Sequence, residues 1–130
     1  MSVQLTEAQI ADFRRDGFLV VRGALEDSEI EAFGSAVDAA VAHRTSGDER
    51  TVEEKTLYEQ SFIQCMNLWE DHPDVRPATF HGGLAEMACQ MLEADAVRVW
   101  HDQALYKESG GRETDPHQDL PFWPMKPAEQ

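Results

Sequence analysis

The chain changes hydrophobic period along its length, mainly helical as far as residue 92 and strand-like from residue 96. That switch constrains the fold more than any other feature, because a helix-period pattern does not settle as a strand or the reverse. Thr6-Glu7-Ala8-Gln9 reads as a capping box, in which two side chains satisfy orphan N–H groups at a helix start. The helix it opens carries Ile10 and Phe13 with Ala11 nearby and runs to Arg14 and Arg15. Asp16-Gly17 stops it, since glycine tolerates the left-handed conformation that ends many helices. Phe18-Leu19-Val20-Val21 is expected to follow as a short apolar strand. A second capping box, Ser28-Glu29-Ile30-Glu31, predicts a helix with Ile30, Phe33, Val37 and Val41 on one face. A third helix is predicted over about Phe80 to Leu92, with Leu84, Met87, Ala88 and Met91 inward. From Ala96 to Lys107 the pattern alternates as in a long strand. Val97, Val99, His101, Gln103, Leu105 and Lys107 share one face, and Arg98, Trp100, Asp102, Ala104 and Tyr106 the other. Three helices with an early and a late strand predict a mixed α and β architecture, of α+β class.

The 130 residues are one domain's worth of chain, with no internal repeat and no interdomain linker, so no second domain is expected. A formal net charge of −14 argues against an electrostatic grip on nucleic acid or on anionic membranes. No apolar run reaches the roughly 18–20 residues of a membrane span. The start, Met1-Ser2-Val3-Gln4-Leu5-Thr6-Glu7, lacks the basic and apolar stretches of a signal peptide. Cys65 and Cys89 sit in apolar stretches without metal spacing and read as free thiols in a reducing compartment. A cytoplasmic chain is expected. His43 to Gln60 is polar and reads as a solvated connection, Phe62 to Trp69 regains apolar character, and Asp71-His72-Pro73-Asp74 is a turn.

The sequence holds no phosphate-cradling loop, no nucleophile elbow and no HExxH. What it holds is His-x-Asp, twice, at His72-Pro73-Asp74 and His117-Gln118-Asp119. In extended backbone residues i and i+2 point to one side, so an imidazole nitrogen and a carboxylate oxygen can converge on one ion. With a second histidine, such a pair makes the facial triad that leaves Fe(II) positions open to substrates. The pattern is short and weak alone. The turn-like setting of the first favours a local backbone role for Asp74 and a surface role for His72.

Context singles out His117. Trp100-His101-Asp102-Gln103-Ala104-Leu105-Tyr106-Lys107, a Gly-Gly loop, then Thr114-Asp115-Pro116-His117-Gln118-Asp119 resembles the phytanoyl-CoA dioxygenase (PhyH-like) family. There a strand ending in Lys leads through a Gly/Pro loop to the His-x-Asp metal strand. Leu5-Thr6 through Phe13, Asp16-Gly17-Phe18-Leu19-Val20-Val21 and Gly23 also resemble that family's opening, while residues 43–95 match loosely. The resemblance implies N-terminal helices packed on the first strands of a double-stranded β-helix of jelly-roll or cupin type. It implies an Fe(II)- and 2-oxoglutarate-dependent oxygenase that hydroxylates a small-molecule substrate while converting 2-oxoglutarate to succinate and CO2. His117 and Asp119 would hold the metal. Gln103 would face the cosubstrate, with Gln118 and then Gln64 as weaker contacts. Because the family's halogenating relatives lack the carboxylate that Asp119 supplies, hydroxylation is the expected chemistry.

The family also requires a later metal histidine and an arginine for the far carboxylate of 2-oxoglutarate. Neither residue type follows Asp119, where the one cation is Lys126. Residues 1–130 are therefore expected to be the N-terminal part of such a domain, incomplete and inactive alone, completed by a C-terminal half or a partner chain. The competing reading is a non-catalytic acidic module that binds metal through His117 and Asp119, or docks a partner through Phe122-Trp123, on the same scaffold.

Overall fold

The structure, a computed structural model, describes residues 3–119. Phe122-Trp123 and Lys126 lie outside the described residues. The chain divides into two compact units, one built from Met1–Glu49 with Gln64–Leu105, the other from Arg50–Ile63 with Tyr106–Gln130.

In the larger unit the three long helices stand where the periodicity places them. Helix α1 spans Glu7–Asp16 behind the predicted box: Thr6 Oγ1 accepts from the Gln9 N–H at 3.2 Å, and Gln9 Oε1 accepts from the Thr6 N–H at 2.9 Å. Gly17 ends it at φ 80°, its N–H donating to Phe13 O at 2.8 Å. α1 packs against the later helix α5 (Gly82–Leu92), and Gln90 ties the two together by accepting from the Leu5 N–H and donating to Val3 O. Helix α2, Asp27–Thr45, starts earlier than Ser28 predicts, because the reciprocal pair is Glu26 and Glu29. The Glu29 carboxylate accepts from the Glu26 N–H at 2.9 Å, and Ser28 lies inside the helix. That same carboxylate faces His81 Nε2 at 3.1 Å, while His81 Nδ1 accepts from the Leu84 N–H and caps α5. His81 is thus read as the Nε2–H tautomer, joining the start of α5 to the first turn of α2.

Two short helices, α3 (Leu68–Asp71) and α4 (Arg76–Thr79), flank a single 3-10 turn at Pro73–Val75, the turn expected around Pro73. The buried core comprises Ala40 and Val41 from α2, Cys65, Leu68, Val75 and Met87 from α5. Of the residues predicted inward on α5, Met87 is buried and Ala88 and Met91 are half-buried, but Leu84 faces outward. Trp69 packs edge-on to Phe80 with the Arg76 guanidinium over both rings.

Strand structure is narrower than the alternation predicts. The sheet is two antiparallel strands, β1 (Ile63–Met66) and β2 (Gln103–Tyr106). Two expectations are corrected here: neither Phe18–Val21 nor residues 96–102 form a strand. β propensity becomes a strand only where a second strand supplies the ladder, and that holds for 103–106 beside β1. Phe18 and Val20 are 65% and 67% exposed. The mixed helix and strand content agrees with α+β.

The smaller unit is built on turns. A 3-10 turn at Val52–Glu54 is capped by Thr51, whose N–H donates to the Glu54 carboxylate. Gln60 O accepts from the Arg112 N–H, and the buried Ser61 hydroxyl reaches Glu113 O at 3.5 Å. Gly111 fits here because a Cβ would stand 3.1 Å from the Glu108 carbonyl oxygen. The polar run expected to be a plain solvated connection is therefore bonded structure from residue 50 onward. Within it Arg50 Nη2 pairs with Glu59 Oε1 at 2.9 Å. The Arg50 guanidinium, helped by the Thr56 N–H and hydroxyl, lowers the Glu59 carboxyl from its ordinary 4.5 to about 2. A folded value below the unfolded one stabilises the fold above the unfolded value and is lost as pH falls toward the folded value. The unit should therefore lose stability between about pH 4.5 and 2 as Glu59 protonates. Amide exchange at Gln60 and Ser61 across that window, beside a Glu59→Gln variant whose exchange is flatter with pH, checks it.

Candidate metal centre

The His117-x-Asp119 pair lies in the smaller unit, in irregular backbone rather than on a strand. Its side chains nevertheless converge: His117 Nε2 stands 3.3 Å from Asp119 Oδ1. His117 Nδ1 lies 2.8 Å from the Asp115 carbonyl oxygen, which can only accept, so Nδ1 carries the proton. Nε2 is then the nitrogen left to take a proton or a cation. A backbone carbonyl in that role is how ligating imidazoles are commonly oriented. Both side chains face solvent, 54% and 76% exposed, so an ion could enter without rearrangement. Pro116 between Asp115 and His117 fixes one backbone angle of the short loop that makes this contact.

Gln118, between the two, is exposed. Gln103 is the exposed first residue of β2 and Gln64 the half-buried second residue of β1, both in the larger unit. Of the residues predicted for the site, the structure joins His117 with Asp119. Lys107 donates to Thr114 Oγ1 at 3.1 Å, an internal bond of the loop leading to His117. Among the described residues no group of three His, Cys, Asp or Glu side chains is placed to hold a metal ion.

Two participants escaped sequence reasoning. The Asp115 carbonyl is a backbone group, and only the adjacent proline hinted at a shaped loop. The alternation places Asp102 on a strand face, yet its carboxylate accepts from the Leu68 N–H at 2.9 Å, the Trp69 N–H at 3.4 Å and Thr79 Oγ1 at 2.8 Å. It caps α3 from the residue before β2 and so fixes where that strand and Gln103 begin.

An α+β chain presenting an imidazole and a carboxylate at convergent positions has the donor types of a non-haem metal oxygenase. The phytanoyl-CoA dioxygenase (PhyH) family model matches residues 13–130, and the chain belongs to that family. The family is one of dioxygenases, generally dependent on Fe(II) and 2-oxoglutarate. No curated protein and no solved structure matches the chain significantly. Among the described residues no helix is long and apolar enough to cross a membrane.

Proposed function

We propose that the chain is the N-terminal part of an Fe(II)- and 2-oxoglutarate-dependent hydroxylase whose iron is held by His117 and Asp119. The observation that carries this reading is the 3.3 Å approach of His117 Nε2 to Asp119 Oδ1, with Nδ1 engaged by Asp115. The donor set fits: a neutral imidazole nitrogen and a carboxylate are two of the three ligands of the facial triad. Bound Fe(II) would supply the centre at which 2-oxoglutarate and O2 react to hydroxylate a C–H bond. The chain's own residues do the holding. The Asp115 carbonyl sets the tautomer of His117, and Asp119 would supply the anionic ligand. The family resemblance, rather than any arrangement between the two units, assigns Gln103, with Gln118 and Gln64 secondary, to the cosubstrate. In this reading β1 and β2 would be the first strands of a double-stranded β-helix. The third ligand and the arginine for the far carboxylate would come from a C-terminal half or a partner chain. The two thiols, Cys65 and Cys89, are both free, in keeping with a cytoplasmic setting.

The test is succinate formation. The full product of the reading frame, given Fe(II), 2-oxoglutarate and air, should form succinate; residues 1–130 alone should form none above the metal-only background. Without a third ligand the iron is weakly held, and without the arginine the cosubstrate lacks a bidentate partner. A full product that binds Fe(II) but forms no succinate would establish the competing reading, a metal-binding or interaction module on the same scaffold.

A further inference from the structure

We propose that His43 and His72 form a separate site for a borderline divalent cation, Zn2+ foremost, with water completing its coordination. The site is independent of the oxygenase reading and lies wholly in the larger unit. His43 Nδ1 and His72 Nε2 stand 3.4 Å apart, on rings whose centroids are 5.1 Å apart and whose planes cross at 74°. With Zn–N bonds of about 2.0–2.1 Å, two nitrogens at that separation subtend about 110° at a shared ion, the tetrahedral angle. The cation would take the place of the hydrogen bond between the two nitrogens.

The separation is held by the neighbouring residues. Arg44 follows His43 and Asp71 precedes His72, and the Arg44 guanidinium grips the Asp71 carboxylate with two nitrogens, one bond being 3.0 Å. Arg44 also donates to Met66 O at 3.2 Å, and the His72 N–H donates to Leu68 O at 2.8 Å. This fork fastens the last turn of α2 to residue 71 and so holds the segments that carry the two imidazoles side by side. Such pre-organisation removes much of the ordering cost of chelation. Both rings open on a cavity of about 310 Å³ lined further by Ala36, Ala39, Ala40, Pro73 and Asp74, which leaves room for bound water and sets one carboxylate on its wall. Paired imidazoles suit Zn2+, Cu2+ and Ni2+ better than Mg2+ or Ca2+, which prefer oxygen, and a net charge of −14 favours cations of either kind.

Zn2+ titration by calorimetry, on protein without a histidine tag, tests the proposal. The Asp119→Ala background removes the other imidazole–carboxylate pair. In that background one Zn2+ per chain should still bind, and His43→Gln or His72→Gln should each weaken it at least about tenfold, since a chelate becomes a single ligand. Because a glutamine variant could disturb α2, the imidazole 15N resonances of the unsubstituted protein are followed as well. Those of His43 and His72 should move together with one equivalent of Zn2+ and stay put with Mg2+. Zn2+ affinity within twofold of the background in both glutamine variants, or stationary His43 and His72 resonances, would overturn the site.

Discussion

Asp119→Ala in the full-length protein should lower succinate formation from 2-oxoglutarate at least about 100-fold, while Asp74→Ala leaves it within twofold. The lower bound follows from the fact that losing even an outer-shell partner of a metal site costs about 10–100-fold. Asp119 is closer than that, the anionic member of the pair, its Oδ1 3.3 Å from the His117 nitrogen that the Asp115 carbonyl leaves available. The two His-x-Asp motifs are alike in sequence and different in structure, which makes Asp74 the fitting control. His72 turns its Nε2 to His43 Nδ1 at 3.4 Å, and Asp74 sits within the one-turn helix Pro73–Val75. Succinate yield and Fe(II) affinity should be measured on both variants. Loss of both at Asp119 is the expected result. Loss at Asp74 with retention at Asp119 would show that the wrong motif had been assigned, and the proposed iron ligands would fall with it.

What could be read from the chain and what could not divides along the range of the interactions. Thr6 with Gln9, and Gly17 after Asp16, act within one helical turn, and the structure has the predicted box and left-handed cap. The start of α2 was also local, but two acids compete with Ser28, and Glu29 serves both Glu26 and His81. Strands are non-local. Residues 18–21 and 96–102 have strand composition without becoming strands, whereas Ile63–Met66, which the sequence marks only as apolar, pairs with Gln103–Tyr106. The His117-x-Asp119 motif is legible in the sequence, but its convergence rests on irregular backbone and not on the extended strand that the i, i+2 relation presumes. The Asp115 contact to His117 Nδ1 was not, since any residue type supplies a carbonyl. Nor was the meeting of His43 with His72, which rests on the distant pairing of Arg44 with Asp71.

Asp102→Ala should cost the larger unit about 3–5 kcal/mol, since a carboxylate with three bonded donors is removed and each lost bond to a charged group is worth about 1.5–3 kcal/mol before non-additivity. The donors are the Leu68 and Trp69 N–H groups at the start of α3 and the Thr79 hydroxyl at the end of α4. Leu68 itself is 1% exposed, so water reaches its amide poorly once the carboxylate is gone. Asp102 O also accepts from the Asn67 N–H at 3.2 Å, and Asn67 takes the left-handed conformation at φ 52° that turns the chain from β1 into α3. The side chain and backbone of one residue thus hold the turn between a strand and a helix that begins only one residue beyond it. Asp102→Asn keeps one acceptor oxygen and should recover about half the loss, because the amide nitrogen faces donors where the second oxygen stood. Thr79→Val removes the hydroxyl partner, and combined with Asp102→Ala it should add less than the sum of the two. Urea midpoints at unchanged slope measure these costs, and hydrogen exchange at the Leu68 and Trp69 amides locates them. If Asp102→Ala costs under about 1 kcal/mol, water is replacing the carboxylate and the long-range cap is not what sets the start of β2 and the position of Gln103.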